Sequence, residues 1–592
     1  MESKKMDTHD IVLLDVHQEH FGSVQEDICI GINLLTVFLR KHGYRAMMFR
    51  GFAHETMAWL ETTAHQSTVR SIGFYCDYEN MALVSRFCRK LKQRYDIPVF
   101  VGGPQSVGLG EAFLRSSGCD AVVRGDGEYP LLELLNAYLK DGGKREHIDG
   151  IVYLDASGTL VCNAPREPIR DLDALPWPDF SMERTYASWS MLPVITGRGC
   201  PYSCAFCYEG SNSRKVRFRS VADVLAEIEY QFEQNPRYRY IFFLDDTFTL
   251  DPRRVDAFCD GLSRLRERRD FVWFCEGHIQ NFHRFPNMAK RMVSAGLAKL
   301  FLGIESGTDA VLKAYGKRTT TAMIESVVEK CVADGVSQLT GNIIIGGPWE
   351  SDETLARGTD FVCRLLEKHP GRVDAFGFFL IPYPNTAIAR RPQDFGIRLL
   401  PQREAHSLED IPMGETDTLS WSALIAMRNQ FNQRILEKMK RLFEEGRVPH
   451  DTVLDHYRLA RDYGAFSRWY LNVLTADAIR DGYYRLISKK RLLDAKTAAN
   501  RDLYRCHPQR VFELWNTLSF SEGHPKIDEV ILSPFEYQLM LFCSGKLRLE
   551  EVMLRLYQCF GHRFKNRKEF EDMTLQTLVE FERHRWIGYA PF

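Results

Sequence analysis

Arg198-Gly-Cys-Pro-Tyr-Ser-Cys-Ala-Phe-Cys-Tyr208 sets Cys200, Cys204 and Cys207 at a Cys-x3-Cys-x2-Cys spacing. Three thiolates this close, flanked by a glycine, can wrap one iron–sulfur cluster. A four-iron cubane takes one protein sulfur per iron, usually from four cysteines, so three leave one iron open to another ligand. Structural zinc sites close four ligands, commonly as spaced pairs, and no second pair follows here. Three unrelated core cysteines are the remaining alternative, since free Cys packs as a small hydrophobe. The spacing favours the cluster.

Downstream of this loop, Arg217-Phe-Arg-Ser220 leads into a helical pattern over 221–232. A strand-like run at 240–248, a helix at 252–265 and a strand at 271–279 come next, then apolar runs at 297–307, 341–350 and 375–386. With the strand entering Cys200, this alternation predicts six βα units, an incomplete barrel whose site lies at the carboxyl ends of its strands. Those ends carry Asp245-Asp246, Glu276–Gln280, Glu305-Ser306, Gly346-Gly347 and Tyr383–Asn385.

Upstream, five β-branched or apolar runs (11–16, 45–49, 70–76, 98–103 and 121–125) alternate with amphipathic stretches such as 28–43, which ends at Gly43. This pattern predicts a doubly wound, Rossmann-like parallel sheet with ligands beyond its strand ends. Those ends are Asp15–Gly22, Cys76–Asn80, Gly102–Gln105 and Gly125–Glu128; no Gly-x-Gly-x-x-Gly follows the first strand, which argues against a nicotinamide or flavin site.

The cysteine motif, with Phe206 before the third cysteine, resembles the radical S-adenosylmethionine (SAM) enzymes. In that family the open iron chelates SAM, whose reductive cleavage gives a 5′-deoxyadenosyl radical. The resemblance implies a 4Fe-4S cluster on Cys200, Cys204 and Cys207, with SAM near Phe206, Asp245, Asp246, Glu305, Gly346 and Gly347. Glu305 is otherwise a helix-cap anion. Glu350 is either a cap or a ligand contact. Arg219 is either the partner of SAM's carboxylate or a solvated arginine at a helix start. The N-terminal segment resembles the cobalamin-binding domain fused ahead of many such enzymes. Val101-Gly-Gly-Pro104, Cys119–Glu128 and the linker Asp171–Pro178 carry the match. It implies cobalamin contacts at His17, Cys76, Asp77, Tyr78, Gly102, Gly103, Pro104, Gln105, Gly125, Asp126 and Glu128. Asp15-Val-His17 begins like the Asp-x-His-x-x-Gly motif of cobalamin mutases, but the glycine falls at Gly22, so His17 is either a cobalt ligand or a solvated loop histidine.

The last third is mainly helical by pattern, with helices over 423–446, near 452–486 and at 508–518, and a helical tail ending in a short strand. That tail resembles the winged-helix domains that hold leader peptides in ribosomal-peptide maturation. The expected domains are a cobalamin-binding domain at 1–145, a linker with a β-hairpin at 146–188, a radical SAM partial (β/α)6 barrel at 189–400 and a helical substrate or accessory domain at 401–592.

Composition sets outer limits. Over 592 residues the net charge is −1, which gives no electrostatic reason to expect nucleic acid or a membrane surface as partner. Fifteen cysteines, an odd number without a secretory signal or membrane-spanning run, point to a reducing, cytoplasmic setting. Together the two resemblances imply a cobalamin-dependent radical SAM methyltransferase acting on an unactivated carbon of a natural-product or peptide substrate. A flavodoxin- or ferredoxin-type electron donor would serve it. The alternatives are a rearrangement, cyclisation or oxidation without methyl transfer, and a cofactor sensor or carrier. A methylthiotransferase is disfavoured, because Cys29, Cys76, Cys88, Cys119 and Cys162 sit on separate elements rather than forming a second triad. No catalytic residue is legible.

Overall fold

The computed structural model describes residues 7–17, 29–140, 144–183, 190–246, 248–400, 411–474, 504–511, 518–521, 524–527, 530–545 and 547–590. The loop at 18–22 with Gly22, residue 28, Thr247, and the helical stretches expected at 475–486 and 512–517 lie outside these. The chain divides into two compact units, 1–438 and 439–592. The helix Trp421–Glu444 runs through this division. Its Asn432 clasps the backbone of Gly377 in the barrel, accepting from the N–H at 2.7 Å and donating to the carbonyl at 3.2 Å.

The first sheet of unit 1 runs through β1 (Ile11–His17), β2 (Ala46–Phe52), β3 (Ile72–Tyr75), β4 (Val99–Gly102), β5 (Ala121–Val123), β6 (Ile151–Leu154) and β7 (Leu160–Cys162). Their order is β2-β1-β3-β4-β5-β6-β7. The first five pair in parallel, and the β6–β7 hairpin adds antiparallel strands to the edge. β1 is buried along Ile11–Val16, as a sheet covered on both faces requires. Alternate residues feed two cores. Val12, Leu14, Phe74 and Val101 pack with Phe87 and Leu91 on one face, while Leu13 and Phe100 pack with Phe38, Leu39 and Leu134 on the other. The winding reverses between β1 and β3, which opens a crevice at the strands' carboxyl ends.

The second sheet holds β8 (Met191–Val194), then, after a ribbon of β9 (Gly197–Arg198) and β10 (Arg217–Phe218), β11 (Tyr240–Phe243), β12 (Val272–Gly277), β13 (Leu297–Glu305), β14 (Gln338–Ile345) and β15 (Val373–Phe379). Its six strands lie in chain order and all pair in parallel, so every carboxyl end reaches one rim. Helices return the chain between them. Val221–Gln234 is capped by Ser220, whose side chain accepts from Asp223 N, and Pro252–Arg266 by Asp251, which accepts from Arg253 N. The linker fastens the sheets together: Asn33 and Asp179 exchange bonds of 2.9 and 3.0 Å, and Trp177 Nε1 donates to Asp223.

Unit 2 begins with the end of the Trp421–Glu444 helix and continues through His450–Arg458, a wider turn at Leu459–Tyr463, and Arg468–Asn472. The helix expected at 508–518 is instead a strand at His507–Arg510, paired antiparallel with Ile587–Ala590. The terminal strand supplies the pairing partner for this segment. Helices Pro534–Phe542, Leu549–Phe560 and Arg567–Arg583 pack between them in sequence. Among the described residues no helix is long and apolar enough to cross a membrane.

Candidate active site between the two sheet rims

The cysteine loop leaves the rim of the second sheet through the β9–β10 ribbon. Three backbone bonds fix its shape: Cys200 N to Ser213 O at 2.9 Å, Cys207 N to Cys204 O at 3.1 Å, and Ala205 N to Tyr315 O at 2.8 Å. Burial pushes the Cys200 thiol up to about 11 and Cys207 to about 12, with Cys204 adding to both shifts and Cys200 to that of Cys207; Cys204 is raised by burial as well. Tyr202 N–H at Cys200 and Gly210 N–H at Cys207 oppose this by stabilising thiolate. Three free, crowded thiols with amide donors aimed at them, and a buried setting that disfavours bare thiolates, fit an iron cluster that supplies the counter-charge.

Around this loop the structure sorts the expected SAM contacts into two groups. Asp246 faces the cavity described below, where desolvation and the charge of Asp245 push it up to about 6. Glu305 stands at the end of β13 with φ +60°, its carboxylate paired with the buried Lys317 at 2.8 Å rather than capping a helix. Burial opposes the charge on Lys317, but Glu305 and the sulfurs of Cys204 and Cys207 outweigh it and hold its pKa raised. Glu276 at the end of β12 is pushed to about 7 by burial, Asp246 and Glu305.

The other expected contacts are engaged elsewhere. Asp245 accepts from Thr196 N at 2.6 Å, from Gly197 N at 3.1 Å and from the Thr196 hydroxyl, so it braces the turn before the ribbon. Arg219 is held by Asp223 and Glu227 and donates to Ile195 O at 2.9 Å, which makes it neither solvated nor free for a carboxylate. Phe206 packs edge-on against Tyr315 with ring centres 4.8 Å apart. Gly347 lies against that same tyrosine, and a Cβ there would overlap its hydroxyl. Gly346 turns with φ +85° and, with Gly347, donates to the Glu350 carboxylate, which is therefore a cap.

A cavity of about 900 Å³ runs from this loop to the rim of the first sheet. On the sheet side Tyr75, Gly102–Pro104, Gly125–Glu128 and the helix start at Gly31 line it; on the barrel side Gly197–Gly199, Tyr208, Glu209 and Asp246 do. Positions 31 and 125 have open space where a Cβ would project. A roomy, largely apolar crevice at the switch point, with glycines facing it, fits a large flat cofactor such as cobalamin. Of the expected cobalamin contacts, Gly102, Gly103, Pro104, Gly125, Asp126 and Glu128 border the cavity, whereas His17, Cys76, Asp77, Tyr78 and Gln105 are not among its lining residues. Cys76 is wholly buried in the sheet core. Asp77 folds back on Glu79 N and Asn80 N, and Tyr78 packs edge-on with Tyr383 at 5.5 Å. Gln105 is buried beside Met81, and His17 Nε2 lies 2.9 Å from Asp15 Oδ2. Gly103, with φ +106°, allows β4 to approach Cys76, whose carbonyl would be 2.6 Å from a Cβ. Asp126 and Glu128 are paired with arginines of the ribbon.

Sequence reasoning missed Arg198, Arg217, Lys317, Tyr208 and Glu209. Burial and Asp246 push Glu209 up to about 7 inside the cavity wall. Adjacency to the cysteine motif was the available signal for Tyr208, Glu209 and Arg198. Lys317 follows a short helix at Asp309–Ala314 and carried none. The Tyr202 ring stacks on His278, with centres 4.0 Å apart and planes 13° from parallel, which explains a histidine at the end of β12. Burial and the nearby Lys317 pull His278 down to about 3, so it is neutral.

A family profile for the B12 binding domain matches residues 8–135, and one for the radical SAM superfamily matches residues 194–362. Over 302 residues the chain is 31% identical to an uncharacterized methyltransferase of Pyrococcus horikoshii, covering 49% of this chain and 62% of the relative. It is 26% identical over 270 residues to the anaerobic magnesium-protoporphyrin IX monomethyl ester cyclase of Rubrivivax gelatinosus, covering 44% and 48%. The match thus spans about half to three fifths of the length of these relatives. Among solved structures, the cobalamin-dependent S-adenosylmethionine radical enzyme OxsB, with aqua-cobalamin and S-adenosylmethionine bound, aligns over 98% of this chain and 84% of its own, with TM-score 0.60 and 16% identity. That likeness is one of fold.

Proposed function

Because this chain joins a B12-binding domain to a radical SAM domain, we propose that it is a cobalamin-dependent methyltransferase acting on an unactivated carbon of a natural-product or peptide substrate. The observation that carries the reading is the single cavity reaching from the carboxyl rim of the first sheet to the cysteine loop of the second. When bound, the cluster with SAM supplies a 5′-deoxyadenosyl radical and cobalamin supplies the methyl group, which an unactivated, non-nucleophilic carbon requires. Cys200, Cys204 and Cys207 hold the cluster, and Glu305 with Lys317 and the carboxyls of Asp246 and Glu276 form the polar wall beside it. The cavity opens both rims onto one space, in which reacting groups would lie at close range. A flavodoxin- or ferredoxin-type donor and a cytoplasmic setting complete the proposal.

A second reading, cyclisation or rearrangement without methyl transfer, is favoured by the likeness to the cyclase. Anaerobic reconstitution with methyl-labelled SAM and a candidate extract separates the two. Methyl transfer yields S-adenosylhomocysteine and 5′-deoxyadenosine in equal amounts with a labelled product. Deoxyadenosine without S-adenosylhomocysteine supports the second reading, and neither product removes both.

A further inference from the structure

We propose that Arg198 is a positioning residue that locks the cysteine loop against the rim of the first sheet and so sets the separation of the cavity's two halves. Its guanidinium reaches Glu128 Oε1 at 2.6 Å and Asp126 Oδ1 at 3.1 Å. The other oxygen of Asp126 accepts from Arg217 and from Ile169 N at 2.8 Å, while Arg217 also donates to Ile169 O at 3.0 Å. Arg198 and Arg217 face each other across the β9–β10 ribbon, and Cys200 follows Arg198 by two residues. One carboxylate therefore joins three segments: the loop after β5, the linker, and the ribbon bearing the cluster ligands.

The chemistry suits a spacer. Two carboxylates against two guanidiniums leave the group neutral, and the planar fork of arginine fixes distance and angle together, which a lysine would not. The bridge is shielded, with the Arg217, Asp126 and Glu128 side chains 9%, 14% and 5% exposed. Radical generation needs only the barrel half of the cavity, whereas use of the radical needs both halves in register, where an ångström matters. The bridge thus gives Asp126 and Glu128 a role in geometry instead of direct contact with cobalamin. The inference rests on the proposed function only for what occupies each half.

The test uses the full chain, anaerobically reconstituted, carrying Glu128→Gln, which keeps the side chain's shape and removes its charge. Amide hydrogen exchange at 197–199 and 217–218 is expected to accelerate at least about tenfold. The electron paramagnetic resonance spectrum of the reduced cluster with SAM is expected to shift, while hydroxocobalamin titrates within about twofold of the unmodified affinity. A loss of hydroxocobalamin affinity of about tenfold or more would make Glu128 a direct contact and overturn the proposal; so would an unchanged ribbon. If Glu128→Gln does not accumulate folded, Arg198→Lys, which keeps charge without the fork, carries the same three measurements. None of these depends on methyl transfer, so failure of the functional reading would not mimic failure of the bridge.

Discussion

Lys317 and Glu305 form a desolvated pair beside the cysteine loop, with side chains 7% and 12% exposed. Replacing Lys317 with Met leaves a carboxylate buried without its partner. The expected cost is roughly 3–5 kcal/mol of folding stability, measured by denaturant unfolding, whereas a loss below about 1 kcal/mol would mean that solvent reaches the pair. Glu350 offers a pH test at the same scale. Burial pushes its pKa up from 4.5 to about 7 despite the N–H groups of Gly346 and Gly347. Between those values the folded chain keeps a proton that the unfolded chain has released, so this carboxyl's contribution to stability falls as pH rises through that window. Glu350→Gln still accepts from both N–H groups and should flatten that decline. An unchanged slope between the two ends of the window would show that the carboxyl titrates normally.

At the scale of elements, the strands were legible because apolar β-branched runs alternate with amphipathic helices, and five of the six barrel strands overlap predicted runs, the sixth being the strand that precedes the cysteine loop. The use of individual residues at the strand ends is not legible in the same way. Gly103, Gly347 and Asp245 look like ligand contacts in sequence; in the structure Gly103 borders the cavity and also lets β4 approach Cys76, Gly347 lies against Tyr315, and Asp245 braces a turn. The same residue types meet both needs, and only neighbours distant in sequence decide between them. Gly103→Ala tests this assignment. The added methyl meets the Cys76 carbonyl at 2.6 Å on a backbone with φ +106°, so the carboxyl ends of β3 and β4 must part. We expect a loss of more than about 1 kcal/mol by thermal unfolding even without cofactor. Weakened cobalamin binding at unchanged stability would return Gly103 to the ligand.

Across the whole molecule the cavity is the product of two sheets presenting their rims to one space. Gly31 lines it from the first turn of a helix, and a Cβ added there would meet no atom within 4 Å. Gly31→Phe should therefore fill cavity rather than disturb packing. The expected result is at least about a tenfold loss in cobalamin affinity with the melting temperature kept within a few degrees. Retained affinity would place the cofactor outside this space.

The sequence by itself determined the three-cysteine motif, the doubly wound sheet and the six-stranded barrel. Those depend on short-range spacing and periodicity, which a chain carries locally. Only the tertiary structure decided that Asp126 and Glu128 meet Arg198 and Arg217, that Lys317 meets Glu305, and that Arg219 is engaged by its own helix. A buried charge takes whichever opposite charge folding brings within reach, and that choice is made by segments far apart along the chain.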